Sequence, residues 1–349
     1  MPRLAFRLDT ERLEIRPLSR EHITEFARYR NLDEVARYQD WQLPYTRDLA
    51  HELVDQCQSL GGPSPGHWVQ LALEADRTLV GDVAVWLDDD AQFATIGYTL
   101  APERQGSGYA VEAVEAIVEW LFLRRRVHRI AATLDPRNLA SARVLERCGF
   151  VYVGTARGAA FVRGEWADDT RFSVLADEWR RWRGRPTGPA GSVELVAVTD
   201  ANVRAVGELD RAFSQRELVA PVLVSLAQAL VPPIRGGMPL EPWYRAIEAD
   251  GELAGFVMLA EPHEGVPHPY LWRFLVDVRH QGRGIGRTAI DRIARERRRA
   301  GATHLAVSWV PDAVGSPARF YERLGFVPTG RVEHGEVEAL LDLATLDGA

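Results

Sequence analysis

Residues 105–110 read QGSGYA and residues 281–286 read QGRGIG, the second stretch 176 residues after the first. The same offset carries RVLERCGF (143–150) onto RFYERLGF (319–326). Gly108 and Gly149 are 41 residues apart, and so are Gly284 and Gly325. Two motifs repeated at one internal spacing describe a duplicated architecture. A glycine loop between a strand and a helix is a device for holding phosphate. Its glycines let successive backbone N–H groups point into one concavity, and the helix N-terminus adds a partial positive charge. A tight turn alone accounts for one such loop, but poorly for two in matched context.

The pattern around each loop repeats as well. In the second half, VELVAV (193–198) reads as a strand, and Thr199-Asp200 supply a helix-capping signal. The runs 243–249 and 252–260 flank Asp250-Gly251, a hairpin turn, and YLWRFLVDV (270–278) is a third strand. A helix follows from Thr288 to Arg299, then a strand over 303–309 and a helix from Pro317 to Leu324. The first half gives strands at 68–74, 79–87 and 93–101, a helix to Arg126, a strand at 128–134 and a helix at 139–147. The expected fold class is α/β (α+β), each half a mixed, mostly antiparallel sheet flanked by helices. RGRPTGPAGS (183–192) has linker composition, which divides the chain into 1–182, a linker 183–192 and 193–349. At least three strands precede each glycine loop, some paired as hairpins, so the dinucleotide-binding topology fails.

Composition removes further classes. All 42 basic residues are arginine, so neither a P-loop lysine nor a Schiff-base lysine exists in these 349 residues. A net charge of −7 argues against broad nucleic-acid binding. The clusters Arg124–Arg126 and Arg297–Arg299 close the repeated helix, where cations offset its dipole. No run is long and apolar enough to span a membrane, and the N-terminal stretch lacks the apolar segment of a signal peptide, so the expected setting is cytoplasmic. Cys57 and Cys148 form no metal-ligand or disulfide pattern, and His263, Glu264 and His268 miss the spacing of a helical zinc site. No metal is expected.

QGSGYA and QGRGIG resemble the Q/R-x-x-G-x-G/A pyrophosphate loop of the GNAT superfamily of N-acetyltransferases, and ERCGF and ERLGF resemble its helix-then-strand motif. The resemblance covers nearly the whole chain, in two modules, and implies two tandem GNAT folds. It implies acetyl-CoA as acyl donor, with its pyrophosphate on the loops Gln105, Gly106, Ser107, Gly108, Tyr109, Ala110 and Gln281, Gly282, Arg283, Gly284, Ile285, Gly286. Pantetheine is then expected along the preceding strands, near Leu100 in the first module and near Val276 and Val278 in the second.

The modules are unequal. Many members of the family place a tyrosine four residues before the glycine of the GF pair, where it protonates the departing thiolate. Tyr321 stands there in the second module and Leu145 in the first. A phenol can donate a proton; leucine cannot. DPRNLASARVLERCGF (135–150), with Asn138 and Ser141 as candidate cofactor contacts, is similar to ribosomal-protein N-terminal acetyltransferases, and the counterpart of Asn138 is Val314. The stretches 218–230, 242–259 and 270–286 look like bacterial spermine/spermidine acetyltransferases, although Val222 and Val224 replace the polar or aromatic residues expected on that helix. A base acting through water is expected among Glu241, Asp277 and Glu264. The expected acceptor is a small-molecule amine: a polyamine, an aminosugar antibiotic or an amino-acid-like metabolite. The alternatives are protein N-terminal acetylation through the first module and a non-catalytic acetyl-CoA sensor. The expected assembly is a monomer with an internal pseudo-dimer, or a homodimer.

Overall fold

Asp76 and Arg77 have φ of 49° and 61°, and Asp250 and Gly251 have φ of 54° and 81°. Two successive left-handed residues give the turn whose twist matches that of paired strands, so each half of the chain holds a tight hairpin. The computed structural model describes residues 6–311 and 315–346. It divides into two compact units, Met1–Gly184 and Arg185–Ala349.

Unit 1 contains strands β1 (Leu8–Asp9), β2 (Glu14–Pro17), β3 (Trp68–Ala75), β4 (Thr78–Leu87), β5 (Phe93–Leu100), β6 (Arg129–Leu134), β7 (Val151–Val162) and β8 (Glu165–Leu175). Their order in the sheet is β1-β2-β3-β4-β5-β6-β8-β7. Every neighbouring pair is antiparallel except β5 with β6. The helices are α1 (Ile23–Arg30), α2 (Asp33–Ala36), α3 (Arg47–Leu60), α4 (Tyr109–Trp120), α5 (Leu139–Arg147) and α6 (Ala176–Arg183). Sequence explains their ends. The Thr46 side chain caps α3 by accepting from the Leu49 N–H, and Gly61 closes it at φ 69°. Ala50, Val54 and Cys57, three or four residues apart, form its buried stripe.

Unit 2 contains β9 (Val193–Val196), β10 (Ile234–Arg235), β11 (Met238–Pro239), β12 (Pro242–Ala249), β13 (Glu252–Ala260), β14 (Tyr270–Val276), β15 (His304–Trp309), β16 (Val327–Glu333) and β17 (Glu336–Asp342). Its main sheet has the order β16-β17-β15-β14-β13-β12-β9, parallel at β14–β15 and antiparallel elsewhere. The helices are α7 (Val203–Gly207), α8 (Val222–Leu230), α9 (Ile285–Arg299) and α10 (Ala318–Arg323). One sheet face packs on α9 through Ile285, Ala289, Ile290 and Ile293. The other packs on α7 and α8 through Val206 and Val222 against Phe256, Met258 and Leu275. Each fully buried aliphatic side chain contributes about 1.5–3 kcal/mol, so a sheet covered on both faces is well supported.

Several boundaries differ from the sequence reading. β14 stops at Val276, because the Asp277 side chain accepts from the Arg279 N–H and starts a 3-10 turn over Val278–His280. The helix after β9 begins at Val203, with Asn202 rather than Thr199-Asp200 at its cap. α4 ends at Trp120 and gives way to a π turn over Leu121–Arg125. Arg297 does more than offset a dipole: it is buried, ion-paired with Glu261 at 2.6 Å and packed over the Trp243 ring. Within the stretch 183–192, α6 runs to Arg183, and the N–H groups of Gly191 and Ser192 bond the Asp250 carboxylate. No described helix is long and apolar enough to cross a membrane.

Candidate active site

Both glycine loops adopt one geometry. Gly106 and Gly108 have φ of 76° and 85°, and Gly282 and Gly284 have φ of 80° and 78°. Gly108 and Gly284 are the N-caps of α4 and α9. A left-handed cap turns the loop amides toward the helix axis, and only glycine takes it without strain. A Cβ built on Gly282 or Gly284 meets nothing within 4 Å, so the cradle is open on that side, as a phosphate site must be. The side-chain amide of Gln105 donates to the Leu100 carbonyl at 3.3 Å, and that of Gln281 to the Val276 carbonyl at 3.0 Å. The same contact ties each loop to the end of its strand. Arg12 crosses the first loop, donating to the Ser107 carbonyl and lying 4.7 Å over the Tyr109 ring.

In unit 2 the loop opens into a cavity of about 600 Å³. Two features of the sheet create it. The parallel pair β14–β15 is joined only at Tyr270–Ala306 and Leu271–Val307, and beyond these the strands separate. β14 also bulges at Trp272, because Leu259 and Met258 of β13 face Leu271 and Arg273. β5 of unit 1 pairs with β4 without a register shift. The cavity is lined by Gln281, Gly282, Gly284, Ile285 and Gly286 of the loop and by Val276 of the strand. Arg287 and Arg323 add positive charge to the lining. Val278 lies outside both the strand and this lining, and the Arg283 side chain turns away from it. Arg283 is buried, ion-paired with Asp250 at 2.6 Å and bonded to the Gly188 carbonyl. Arg283 therefore braces the loop from behind.

Tyr321 lines the same cavity. It sits on α10, where the Phe326 N–H bonds back to the Tyr321 carbonyl at 3.1 Å, as the Phe150 N–H bonds to the Leu145 carbonyl at 3.0 Å. The two positions are thus structural counterparts, one phenol and one alkyl group. Burial pushes the Tyr321 phenol well above its ordinary value, so it holds its proton through the neutral range. Among the described residues its hydroxyl makes no hydrogen bond.

Two carboxylates line this cavity, the exposed Glu217 and Glu336, and neither was foreseen. Glu336 begins β17 and lines the cavity with Ser308 of β15. Ser308 donates to the Glu336 carboxylate, which leaves the Tyr270 hydroxyl to donate to Ser308 Oγ at 2.6 Å. At the 176-residue offset, Tyr270 and Ser308 correspond to Ala94 and Ala132. That contrast was readable in the sequence; the meeting of three strands was not. The expected bases fall elsewhere. Asp277 is buried and accepts from Arg279 and from the Asp210 N–H, while Glu241 and Glu264 are exposed and outside the cavity lining.

In unit 1, Asn138 caps α5 by accepting from the Ser141 N–H at 3.1 Å. The Ser141 hydroxyl lies 2.9 Å from the hydroxyl of the half-buried Tyr98, which also donates to the Ser141 carbonyl at 2.8 Å. These contacts fix the start of α5 beside β5. Val314, the counterpart of Asn138, lies outside the described residues.

Comparison with known proteins gives the same division. Residues 12–151 match a model described as acetyltransferase (GNAT) domain, and residues 225–326 match one described as acetyltransferase (GNAT) family. The chain is similar to the Bacillus subtilis protein named Probable N-acetyltransferase YjcK, 38% identical over 29% of this chain and 57% of that protein. It is also similar to the Escherichia coli [ribosomal protein uS5]-alanine N-acetyltransferase, 30% identical over 24% of this chain and 43% of that one. Both matches thus span less than two thirds of the relative. A solved structure, spermidine N-acetyltransferase from Vibrio cholerae in complex with CoA and spermine, aligns at 22% identity and a TM-score of 0.43 over 49% of this chain and 99% of that one. With two family matches that together cover more than half of its length, one in each unit, the chain belongs to the GNAT acetyltransferase family in tandem form.

Proposed function

We propose that the protein is an N-acetyltransferase that moves an acetyl group from acetyl-CoA to the amine of a small molecule, chiefly in unit 2. One observation carries this reading: the glycine cradle, the Tyr321 phenol and the Ser308–Glu336 pair line one cavity. Gln281, Gly282, Gly284, Ile285 and Gly286 would hold the pyrophosphate through loop amides, with Arg287 and Arg323 nearby, and Val276 would flank the pantetheine. Bound there, acetyl-CoA supplies the acetyl thioester. Glu336 would take a proton from the acceptor's ammonium, since an amine attacks only when neutral. Backbone N–H groups freed by the β14 bulge would face the carbonyl oxygen as it gains charge. Tyr321 would donate its proton to the leaving sulfur.

Unit 1 shares the cradle of Gly106, Ser107, Gly108, Tyr109 and Ala110, tied to Leu100, with Asn138 and Ser141 at the start of α5. We assign it a second acetyl-CoA site without an acid at Leu145. The matched ribosomal-protein enzyme favours a second reading, acetylation of a protein N-terminus through unit 1. A sensor that binds acetyl-CoA without turnover is the third. The proposed domains are 1–182 and 193–349, and the proposed setting is the cytoplasm, which fits two buried cysteines held as thiols.

Thiol release against a panel of small amines and N-terminal peptides tests the assignment. Release with small amines that is lost in Gly284→Val supports it. Preference for peptides, lost in Gly108→Val, moves the activity to unit 1. Acetyl-CoA binding without release from any acceptor overturns it.

A further inference from the structure

Arg273 is a cation that the protein leaves without a hydrogen-bonded anion; the Glu336 carboxylate acts on it only through space. It stands on β14 next to the bulge, half-buried, and desolvation pushes its pKa down. Its guanidinium donates to the Trp272 carbonyl at 2.8 Å and to Gln228 Oε1 of α8 at 3.0 Å, both neutral acceptors. Its Nε is buried without a hydrogen-bond partner, and among the described residues it forms no ion pair. Taking a guanidinium out of water is costly unless an opposite charge offsets it. At the 176-residue offset its counterpart is Gly97, so the cation belongs to unit 2 alone.

Arg273 stands where the 600 Å³ cavity meets a smaller one of about 260 Å³, and Trp272, Ser308 and Glu336 line both as well. Arg235, over the Tyr270 ring at 5.2 Å, adds a second cation to the smaller cavity. The third arginine there, Arg331, is paired with Glu333 at 3.4 Å. The space beside Ser308 therefore offers the Glu336 carboxylate, with Glu333 and Glu338 also lining the smaller cavity, together with two guanidiniums, Arg273 and Arg235, that form no ion pair among the described residues. A polyamine has no use for those cations. A molecule with an amine and a carboxylate satisfies both ends.

We propose that unit 2 acetylates an amino-acid-like acceptor whose carboxylate is bound by Arg273, flanked by Arg235, while its ammonium faces Glu336. This rests on the reading of unit 2 as an acetyltransferase and names its substrate class. The ammonium gives one proton to Glu336, and the nitrogen forms the C–N bond to the acetyl carbon. The C–S bond breaks, the sulfur takes the Tyr321 proton, and the second nitrogen proton restores the phenol. The products are an N-acetylated acid and the CoA thiol, with one proton left on Glu336.

The test compares each standard amino acid with its carboxamide, and both with spermidine, by kcat/KM for thiol release in the full chain. For the best acceptor, the free acid should exceed its amide by about tenfold or more. Arg273→Gln should bring that ratio to within about twofold, mainly through KM, and Arg273→Lys should recover part of it. Amides or spermidine used as well as free acids, or an equal loss on both members of a pair in Arg273→Gln, overturns the proposal. If no amine releases thiol, the enzymatic reading fails separately. Calorimetric titration of the same pairs into the CoA-saturated protein then decides the acceptor class: tighter binding of the acid that depends on Arg273 supports it, and equal or absent binding overturns it.

Discussion

The Tyr321 ring stacks on Trp309 with centroids 5.7 Å apart and planes 13° apart. Packing therefore holds the phenol, and Phe326 closes on it edge-on at 5.4 Å. Tyr321→Phe keeps all of this and removes one oxygen. If Tyr321 is the acid, kcat falls by about 10²-fold or more while acetyl-CoA affinity and thermal stability stay near wild type. Burial raises the phenol pKa, so the protonated form persists beyond the ordinary value near 10. Rate–pH profiles should thus show no falling limb from this group below pH 10. A variant as fast as the parent removes the assignment.

Gly284 and Gly108 take left-handed angles at equivalent helix starts. A β-branched side chain is strained there by about 1–2 kcal/mol; at Gly284 it enters open space beside the loop, and at Gly108 it presses on the Arg12 guanidinium. Equilibrium binding should find two acetyl-CoA sites per chain in the parent and one in either Gly→Val variant. Turnover of small amines should follow Gly284. A parent that binds a single equivalent refutes the paired sites.

How much of this was legible in the sequence depends on range. The cradles were, because Gly106, Gly108, Gly282 and Gly284 are local backbone requirements, and a 176-residue repeat makes them conspicuous. Asp250-Gly251 announced its hairpin for the same reason. Glu336 did not stand out, since its role depends on β17 lying beside β15, a pairing with no local signature. Asp277 illustrates the converse error. It stood among the candidate bases, yet its hydrogen bonds employ it in holding the segment before the loop. The offset comparison that exposed Leu145 against Tyr321 would also have exposed Ala132 against Ser308 and Gly97 against Arg273. Differences between two copies of one fold carry the information about chemistry.

Glu336 accepts a hydrogen bond from Ser308 at the cavity wall. Glu336→Gln preserves shape and hydrogen bonding but cannot take up a proton, so kcat/KM should fall by about 10²-fold with acetyl-CoA affinity unchanged. Ser308→Ala, which only frees the carboxylate, should cost about tenfold or less. Equal losses in the two variants would mark the pair as a structural prop, and an unchanged Glu336→Gln would exclude it as the base.

Asp277 anchors the segment that leads into the second glycine loop. Burial pushes its carboxyl up, but hydrogen bonds from Arg279 and from the backbone N–H groups of Asp210 and Arg279 outweigh this and hold it below the usual carboxylate range. A carboxyl whose folded pKa lies below its unfolded value stabilises the fold fully above the unfolded pKa, about 3.9, and loses that contribution as pH falls through the folded one. Asp277→Asn should therefore destabilise the protein by about 2 kcal/mol at pH 7, the scale of charge-assisted hydrogen bonds lost in a buried site. In urea unfolding monitored at a series of pH values, the gap between parent and variant should hold constant from pH 7 to about 5 and narrow below about 4. A gap that stays constant down to pH 2 would mean that the ionised carboxylate contributes nothing, and that packing alone fixes the approach to the loop.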